Sequence, residues 1–194
     1  MTVSAQTAWD SLAARIRCCV ACPELVATRT NVVVGVRPAA GASVLLVGEA
    51  PGANEDETGF PFVGKAGQLL DLLLAEVGLP RSDVAVANVL KCRPPSNRKP
   101  ARAEVSRCRG WLEEQIELID PAIICAMGGT AVEWFFGPGS KIGVLRGVVR
   151  EVSARRVLAT YHPSAAIRFG PNGMPRAALK EDLAYLASFS GGLT

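Results

Sequence analysis

Short runs of consecutive apolar residues alternate with amphipathic patterns along this chain, and no other feature of the sequence limits its fold as strongly. The apolar runs lie at 44–47, 84–90, 122–127 and 156–161, and the patterns typical of helices lie at 66–77, 101–119 and 129–136. Runs that are apolar at every position are typical of strands in a parallel sheet buried on both faces. The alternation therefore predicts an α/β protein, a three-layer α/β/α domain with a central, mostly parallel sheet of four strands.

We expect all 194 residues to belong to one domain, because the length suits a single α/β unit and no repeat or linker interrupts the pattern. A short helix is predicted at 6–17, and 32–36 and 148–152 are candidate edge strands. The longest stretches without a charge have twelve residues, whereas a membrane span needs roughly 18. Since no basic and apolar leader follows Met1, we expect a cytoplasmic protein without membrane contact.

Ligands of an open parallel sheet bind outside the carboxyl ends of its strands, so the loops at 48–64, 88–100 and 161–168 should surround one crevice. The first loop combines glycines with four acidic residues and lacks the GxxxxGK[ST] phosphate-loop pattern. Its carboxylates would repel a phosphate, and they suit the positioning of a water or the stabilisation of a cation instead. Phe62 in this loop is either an exposed platform for a stacked ligand or a core residue.

The other two loops each carry one side chain that suits recognition or catalysis. Asn88 ends an apolar run, where it could cap a turn or read a base edge with its adjacent donor and acceptor. His162 is the only histidine in the chain, which excludes a metal site built from several histidines. Taken separately, neither residue identifies a function.

Six cysteines in a cytoplasmic chain are expected to be metal ligands or core residues rather than disulfides. They are Cys18, Cys19, Cys22, Cys92, Cys108 and Cys125. Cys125 lies inside an apolar run and is predicted to be a small core residue. Cys19 and Cys22 form a C-x2-C pair. Thiolates from this pair, Cys92 and Cys108 would suit zinc or an iron–sulfur cluster, and the absence of a second C-x2-C pair favours the cluster.

Basic residues are concentrated in two segments of a chain whose net charge is only +3. Seven of the 21 lysines and arginines lie within 91–109, opposed by one acidic residue, and five lie within 141–156. Sixteen of the 21 are arginines, whose planar fork suits phosphate oxygens, although a GC-rich genome would produce the same bias. The two segments predict either a surface that faces a polyanion or an ordinary solvated face.

Four motifs, taken in order, match one family. They are GEAPGxxED at 48–56, GxPFVGxAGxLL at 59–70, NVLKCRPPSNR at 88–98 and HPS at 162–164. This set resembles the family 4 uracil-DNA glycosylases, which are iron–sulfur members of the uracil-DNA glycosylase superfamily. The resemblance runs from the C-x2-C pair to at least Arg168, which is most of the chain.

The resemblance implies a DNA repair enzyme that hydrolyses the N-glycosidic bond of uracil in single- and double-stranded DNA. Such an enzyme flips the base, releases free uracil and leaves an abasic site. The resemblance also implies a [4Fe–4S] cluster that ties residues 6–22 to the segment 92–108. Its ligands would be Cys19, Cys22, Cys92 and Cys108. We expect the protein to act as a monomer.

The resemblance further implies roles for the residues of the three loops. Glu49, Glu55 and His162 would be catalytic, with both glutamates near the sugar and the imidazole facing uracil O2. Which glutamate orders the water stays open. Phe62 would stack on uracil and Asn88 would read its pairing edge. Substrate-binding residues would be Gly48, Phe62 and Asn88, and DNA-binding residues would be Arg98, Lys99, Ser164 and Arg168.

Two alternatives come from other functional classes. One is a non-catalytic iron–sulfur protein on the same fold that binds DNA or senses redox state, which the presence of both glutamates with His162 disfavours. The other is a nucleotide hydrolase on a Rossmann-like sheet, which the missing phosphate loop disfavours. Small residues at 165–167, where the family usually carries bulkier ones that enter the duplex, predict reduced efficiency on double strands.

Overall fold

A five-stranded sheet forms the middle layer of the residues that the computed structural model describes, which are 5–38 and 41–189. Its strands are β1 (Val44–Gly48), β2 (Val84–Asn88), β3 (Ile123–Met127), β4 (Val149–Val152) and β5 (Arg155–Thr160). The spatial order is β2-β1-β3-β5-β4, with β4 antiparallel to β5 and the other neighbours parallel. The predicted parallel strands are confirmed.

The sheet has five strands rather than the four predicted. The additional strand, β4, lies in the candidate segment 148–152 and folds back onto β5 through Ser153 and Ala154, which both have positive φ. Its half-exposed burial pattern is typical of an antiparallel edge strand. The other candidate, 32–36, forms only a single bridge from Val36 to Val86. An apolar run alone therefore did not distinguish an edge strand from an extended loop.

Helices cover both faces of the sheet. They are α1 (Ala5–Arg17), α2 (Pro23–Thr28), α3 (Ala53–Thr58), α4 (Lys65–Glu76), α5 (Arg102–Ile119), α6 (Gly129–Phe136), α7 (Ile142–Leu145), α8 (Pro163–Phe169) and α9 (Met174–Ala187), with 3-10 turns at Arg81–Asp83 and Pro95–Asn97. The helices predicted at 6–17, 66–77, 101–119 and 129–136 are confirmed. No helix within the described ranges is both long and apolar enough to span a lipid bilayer.

Two apolar cores lie on opposite faces of the sheet, which confirms the three layers. Leu45 and Val47 of β1 point into a core shared with α1, α5 and α6, whereas Val44 and Leu46 point into a core shared with α4, α8 and α9. This division follows from the alternation of side chains along a strand.

Helix α9 was not predicted from the sequence. Its apolar positions are interrupted by Asp182, which is buried, and a buried carboxylate breaks an amphipathic pattern. The structure satisfies that carboxylate with the Thr160 hydroxyl, at 2.5 Å, and with the Arg146 guanidinium. Both partners are distant from Asp182 in sequence, so the local sequence of α9 does not indicate that this carboxylate can be buried.

Candidate active site and metal centre

The loops at the carboxyl edge of the sheet enclose a cavity of about 240 Å³. It brings together seven of the predicted residues, namely Glu49, Glu55, Phe62, Asn88, Arg98, His162 and Ser164. Gly48 lies beneath it, while Lys99 and Arg168 are exposed and do not line it. The expectation that the loops after β1, β2 and β5 surround one crevice is confirmed.

Asn88 ends β2 and lies directly opposite Gly48 in the sheet. Only 3% of its surface is exposed, yet no described residue forms a hydrogen bond with its side-chain amide. The turn-capping role is therefore not what the structure shows, and the amide is available to a ligand in the cavity. A Cβ atom on Gly48 would lie 2.5 Å from Asn88 Oδ1 and 2.5 Å from Phe62 Cζ, so only glycine lets the amide and the ring approach each other here.

Phe62 is not the exposed platform that one of its two interpretations required. Its side chain is 6% exposed and packs in the core beside α4, but its ring also lines the cavity, 5.7 Å from the His162 ring centre. Its φ of 55° is unusual for a residue with a side chain and costs roughly 1–2 kcal/mol. Arg81 stabilises the preceding turn by donating to the Pro61 carbonyl at 3.2 Å.

Glu55 is occupied by the main chain of its own loop. One carboxylate oxygen accepts from the N–H groups of Val63 and Gly64, each at 2.8 Å, and the other accepts from Gly52 N–H at 3.0 Å. The carboxylate thereby links the start of α3 to the residues that follow Phe62. Its geometry suits a group that holds the loop in shape.

Glu49 is held differently. One carboxylate oxygen accepts a hydrogen bond from the Thr130 hydroxyl, and no described residue donates to the other oxygen. The free oxygen belongs to a side chain that lines the cavity, where it can meet a water or a ligand. Leu90 N–H also donates to the Glu49 carbonyl at 3.0 Å, which fixes the main chain of this residue.

Thr130 lies in the first turn of α6, next to the short connection after β3, and its contact with Glu49 was not predicted from the sequence. The sequence does indicate that this segment borders the crevice, because Gly128 and Gly129 directly follow an apolar strand of the parallel sheet. Gly128 has φ of 90°, and a Cβ atom there would lie 2.9 Å from His162 Cβ. This glycine therefore allows the loops after β3 and β5 to meet.

His162 precedes α8 and is held as a neutral hydrogen-bond donor. Its Nδ1 accepts from the Ser164 backbone N–H at 3.2 Å, and a backbone N–H can only donate. The proton of the neutral ring therefore lies on Nε2. Burial lowers the pKa of His162 to about 4, and the charge of Glu55 only partly opposes this effect. At neutral pH the ring carries no charge and still offers one N–H.

A second cavity is lined by Cys19, Cys22, Cys92 and Cys108, the four predicted ligands. Cys18 is exposed, and Cys125 is fully buried in β3, which confirms its prediction as a core residue. No three His, Cys, Asp or Glu side chains within 5–38 and 41–189 form a group that could hold one metal ion. Four thiols that line one cavity are a ligand set for zinc or for an iron–sulfur cluster.

Two of these four sulfur atoms accept a hydrogen bond from a nitrogen. Arg29 Nη1 donates to Cys92 Sγ at 3.0 Å and Trp111 Nε1 donates to Cys19 Sγ at 3.4 Å. Burial raises the pKa of the Cys22 and Cys108 thiols, although the charges of Arg107 and Lys91, respectively, favour a lower pKa. Donors and cations around sulfur are the environment of metal-bound thiolates.

The predicted DNA-binding residues fall into two groups. Arg98 forms a two-pronged ion pair with the buried Glu104, at 2.9 and 2.7 Å, and also contacts Glu24 at 3.3 Å. Its guanidinium thus joins the loop after β2 to α2 and α5. Lys99, Ser164 and Arg168 are exposed, although Lys99 lies 3.8 Å from a Glu133 oxygen.

Fold and cavity together define a class, namely a three-layer α/β protein whose strand ends surround a cavity lined by polar and aromatic side chains. The family model of the uracil DNA glycosylase superfamily matches residues 34–187. The chain belongs to this superfamily and, within it, to the type-4 uracil-DNA glycosylases, as its motifs predicted.

Curated relatives support this assignment. A type-4 uracil-DNA glycosylase of Thermotoga maritima is 44% identical over 178 residues, covering 90% of this chain and 91% of the relative. One of Archaeoglobus fulgidus is 42% identical over 166 residues, covering 81% and 82%. A type-5 uracil-DNA glycosylase of Pyrobaculum aerophilum is 31% identical over 188 residues, covering 80% and 82%. The type-4 relatives are thus more similar than the type-5 relative.

Proposed function

We propose that this protein is a monofunctional uracil-DNA glycosylase of DNA repair, which hydrolyses the N-glycosidic bond of uracil and leaves an abasic site. Membership of the family supports this activity. The observation that carries it is the convergence on one cavity of a free amide, a ring, a neutral imidazole and a carboxylate, from Asn88, Phe62, His162 and Glu49. Because the cavity is recessed, the nucleotide must be flipped out of the helix, at a cost of a few kcal/mol that is smaller in single strands.

Asn88 recognises the base in this proposal. Uracil presents an N3–H donor beside an O4 acceptor, and one amide satisfies both, since its oxygen accepts and its NH2 group donates. Cytosine presents the reverse order, so the same amide meets two mismatches. Each unpaired buried polar group costs about 1–3 kcal/mol, which excludes cytosine strongly.

Hydrolysis places positive charge on the sugar and negative charge on the departing uracil. The Nε2–H of His162 donates to uracil O2 and stabilises the anion as charge develops. The free oxygen of Glu49 positions the water and stabilises the cationic sugar, while the Thr130 hydroxyl holds the other oxygen. The water oxygen bonds to C1′, its proton passes to Glu49, and the uracil anion takes a proton from solvent on release. Glu55 acts by shaping the loop that carries Phe62.

We assign a [4Fe–4S] cluster to the cysteine-lined cavity, with Cys19, Cys22, Cys92 and Cys108 as ligands. Four cysteine sulfur atoms around one cavity, two of them with a nitrogen donor, support this assignment. When bound, the cluster cross-links the chain between the N-terminal helix and the segment 92–108. The glycosylase steps above need no electron transfer, so we assign the cluster a structural role.

The macromolecular partner is uracil-containing DNA, bound by the protein as a monomer. Phosphate contacts are assigned to the exposed Lys99, Ser164 and Arg168. Ser164 lines the cavity, Lys99 directly follows the cavity-lining Arg98, and Arg168 lies in the same helix as Ser164. Arg98 is less available because its guanidinium is paired with Glu104. Cytoplasmic location belongs to the same proposal.

Incubation with a single-stranded oligonucleotide that contains one uracil tests the activity. We expect alkali-labile abasic sites and free uracil in equal amounts. A protein that binds the oligonucleotide but yields neither product would support the non-catalytic alternative and contradict the proposal.

A further inference from the structure

Lys91 is the one fully buried lysine in the described ranges, and its environment is unusual. Only 2% of its surface is exposed, and no carboxylate within those ranges pairs with its ammonium. Its Nζ donates to the Asn88 carbonyl at 2.7 Å and to Gln115 Oε1 at 2.5 Å. A buried cation with only neutral partners is costly, so such a residue is expected to have a specific role.

Lys91 also borders the other cavity. The residue itself lines the cysteine cavity, and its neighbour Cys92 supplies one of the four sulfur atoms there. The Lys91 carbonyl accepts from Val33 N–H at 2.8 Å. One residue thus lines the proposed metal centre and contacts the proposed base reader through its side chain.

The two residues between Asn88 and Lys91 form hydrogen bonds with the main chain at the end of β1 and at Glu49, which directly follows this strand. Val89 N–H donates to the Gly48 carbonyl at 2.9 Å and Leu90 N–H donates to the Glu49 carbonyl at 3.0 Å. Movement of the Asn88 carbonyl would therefore displace the amide and the main chain of the catalytic loop together.

We propose that Lys91 is a positioning residue that braces the Asn88 end of β2 from the cysteine centre, so that the metal-bound segment holds the base reader in place. The charged donor makes this brace stronger than a neutral hydrogen bond. When a cluster is bound, the cysteine thiolates that hold it would supply the negative charge that the buried ammonium otherwise lacks. Gln115 completes the brace, because its Nε2 donates to the Val34 carbonyl at 2.7 Å and so fixes the second partner of Nζ.

The test replaces Lys91 by Met, which has similar length but no donor, in the cluster-loaded protein. Amide hydrogen exchange at Val89 and Leu90 should accelerate by about tenfold or more, the factor expected for loss of one charged hydrogen bond. Since the inference rests on the proposed function, uracil release is measured in parallel. We expect kcat to fall by about tenfold with KM for single-stranded DNA unchanged and visible absorbance retained.

Two further variants keep the result interpretable. Lys91→Met combined with Gln115→Leu removes both polar side chains, so that Gln115 Oε1 is not left buried without its donor if the single variant folds poorly. Arg155→Met is the control, because it removes ion pairs to Glu117 and Asp120 that lie outside both cavities. It should not change exchange at 89–90.

Wild-type exchange at Val89 and Leu90 in both Lys91 variants would overturn the inference, whatever the activity. A wild-type protein that releases no uracil would instead overturn the proposed function, and the exchange measurement would still decide whether Lys91 is a brace.

Discussion

Glu49 and Glu55 lie six residues apart and differ in what holds them. Three main-chain N–H groups occupy Glu55, whereas Glu49 keeps one oxygen without a donor from any described residue. The motif alone left their roles open, because both fit a catalytic carboxylate. The division of roles depends on the path of the chain from 52 to 64, which no local pattern encodes.

Substitution of each glutamate by glutamine separates the two roles. Glu49→Gln should lower the single-turnover rate of uracil release by about 10²–10⁴-fold with little change in Tm, since water positioning is lost. Glu55→Gln should lower the free energy of unfolding by about 1–3 kcal/mol, because an NH2 group then faces N–H donors. The opposite assignment would be indicated if Glu55→Gln abolished the rate at an unchanged Tm.

The low pKa of His162 makes a prediction about pH. With a pKa of about 4, lowered by burial, the ring stays neutral from pH 8 to about pH 5, so kcat should show no step near 6.5 from this residue. The unfolded chain binds a proton below about 6.5 while the folded chain does not, so stability should decrease as pH falls from 6.5 towards 4. His162→Gln should flatten that decrease in urea titrations. A step in kcat near pH 6.5 that disappears in His162→Gln would show instead that a charged imidazole takes part in catalysis.

At the scale of elements, hydrophobic periodicity predicted the layers well. Helices at 6–17, 66–77, 101–119 and 129–136 need only local spacing, and the structure has them within a residue or two. Hydrophobic periodicity failed to predict α9, where the buried Asp182 has a partner distant in sequence. It also failed to predict the pairing of β4 with β5, which depends on the turn between the two strands. The contact of Thr130 with Glu49 was also not predicted, because the start of α6, directly after β3, was not counted among the segments that border the crevice.

The cysteine centre connects α1 and α2 to α5, so its loss should affect an element junction. Cys108→Ala should remove the broad visible absorbance of the purified protein and lower Tm. Cys125→Ala, the matched buried cysteine in β3, should lower Tm through its cavity while retaining colour. Colourless wild-type protein that holds stoichiometric zinc after anaerobic purification would contradict the cluster assignment.

The exposed basic residues should bind DNA by contacting its phosphates, whereas Arg98 should not contact them. Lys99→Ala should weaken binding of uracil-containing and ordinary single strands equally and reduce the slope of log affinity against log salt by about 0.7. Arg98→Ala should mainly lower Tm, since it leaves the buried Glu104 unpaired. Lys180→Ala, which removes an ion pair between α9 and α4, is the control. An unchanged salt slope in Lys99→Ala would remove that residue from the DNA surface.

For the whole molecule, the sequence predicted which loops meet but not how their atoms are arranged. Strand ends of a parallel sheet share one edge, so Glu49, Asn88 and His162 could be placed together from order alone. Burial of Phe62 and the ion pair of Arg98 depend on contacts between distant segments, and neither has a local signal.

The central claim is that a fixed amide at the end of β2 selects uracil for excision. Two oligonucleotides identical except for one uracil or one cytosine are incubated with the wild-type protein and with Asn88→Asp, and abasic sites are counted. We predict abasic sites only at uracil for the wild type. For Asn88→Asp we predict a loss of about a hundredfold or more with unchanged colour and Tm, as expected when a donor to O4 is lost. Wild-type rates of uracil release from Asn88→Asp, or equal release of cytosine by the wild type, would contradict the account.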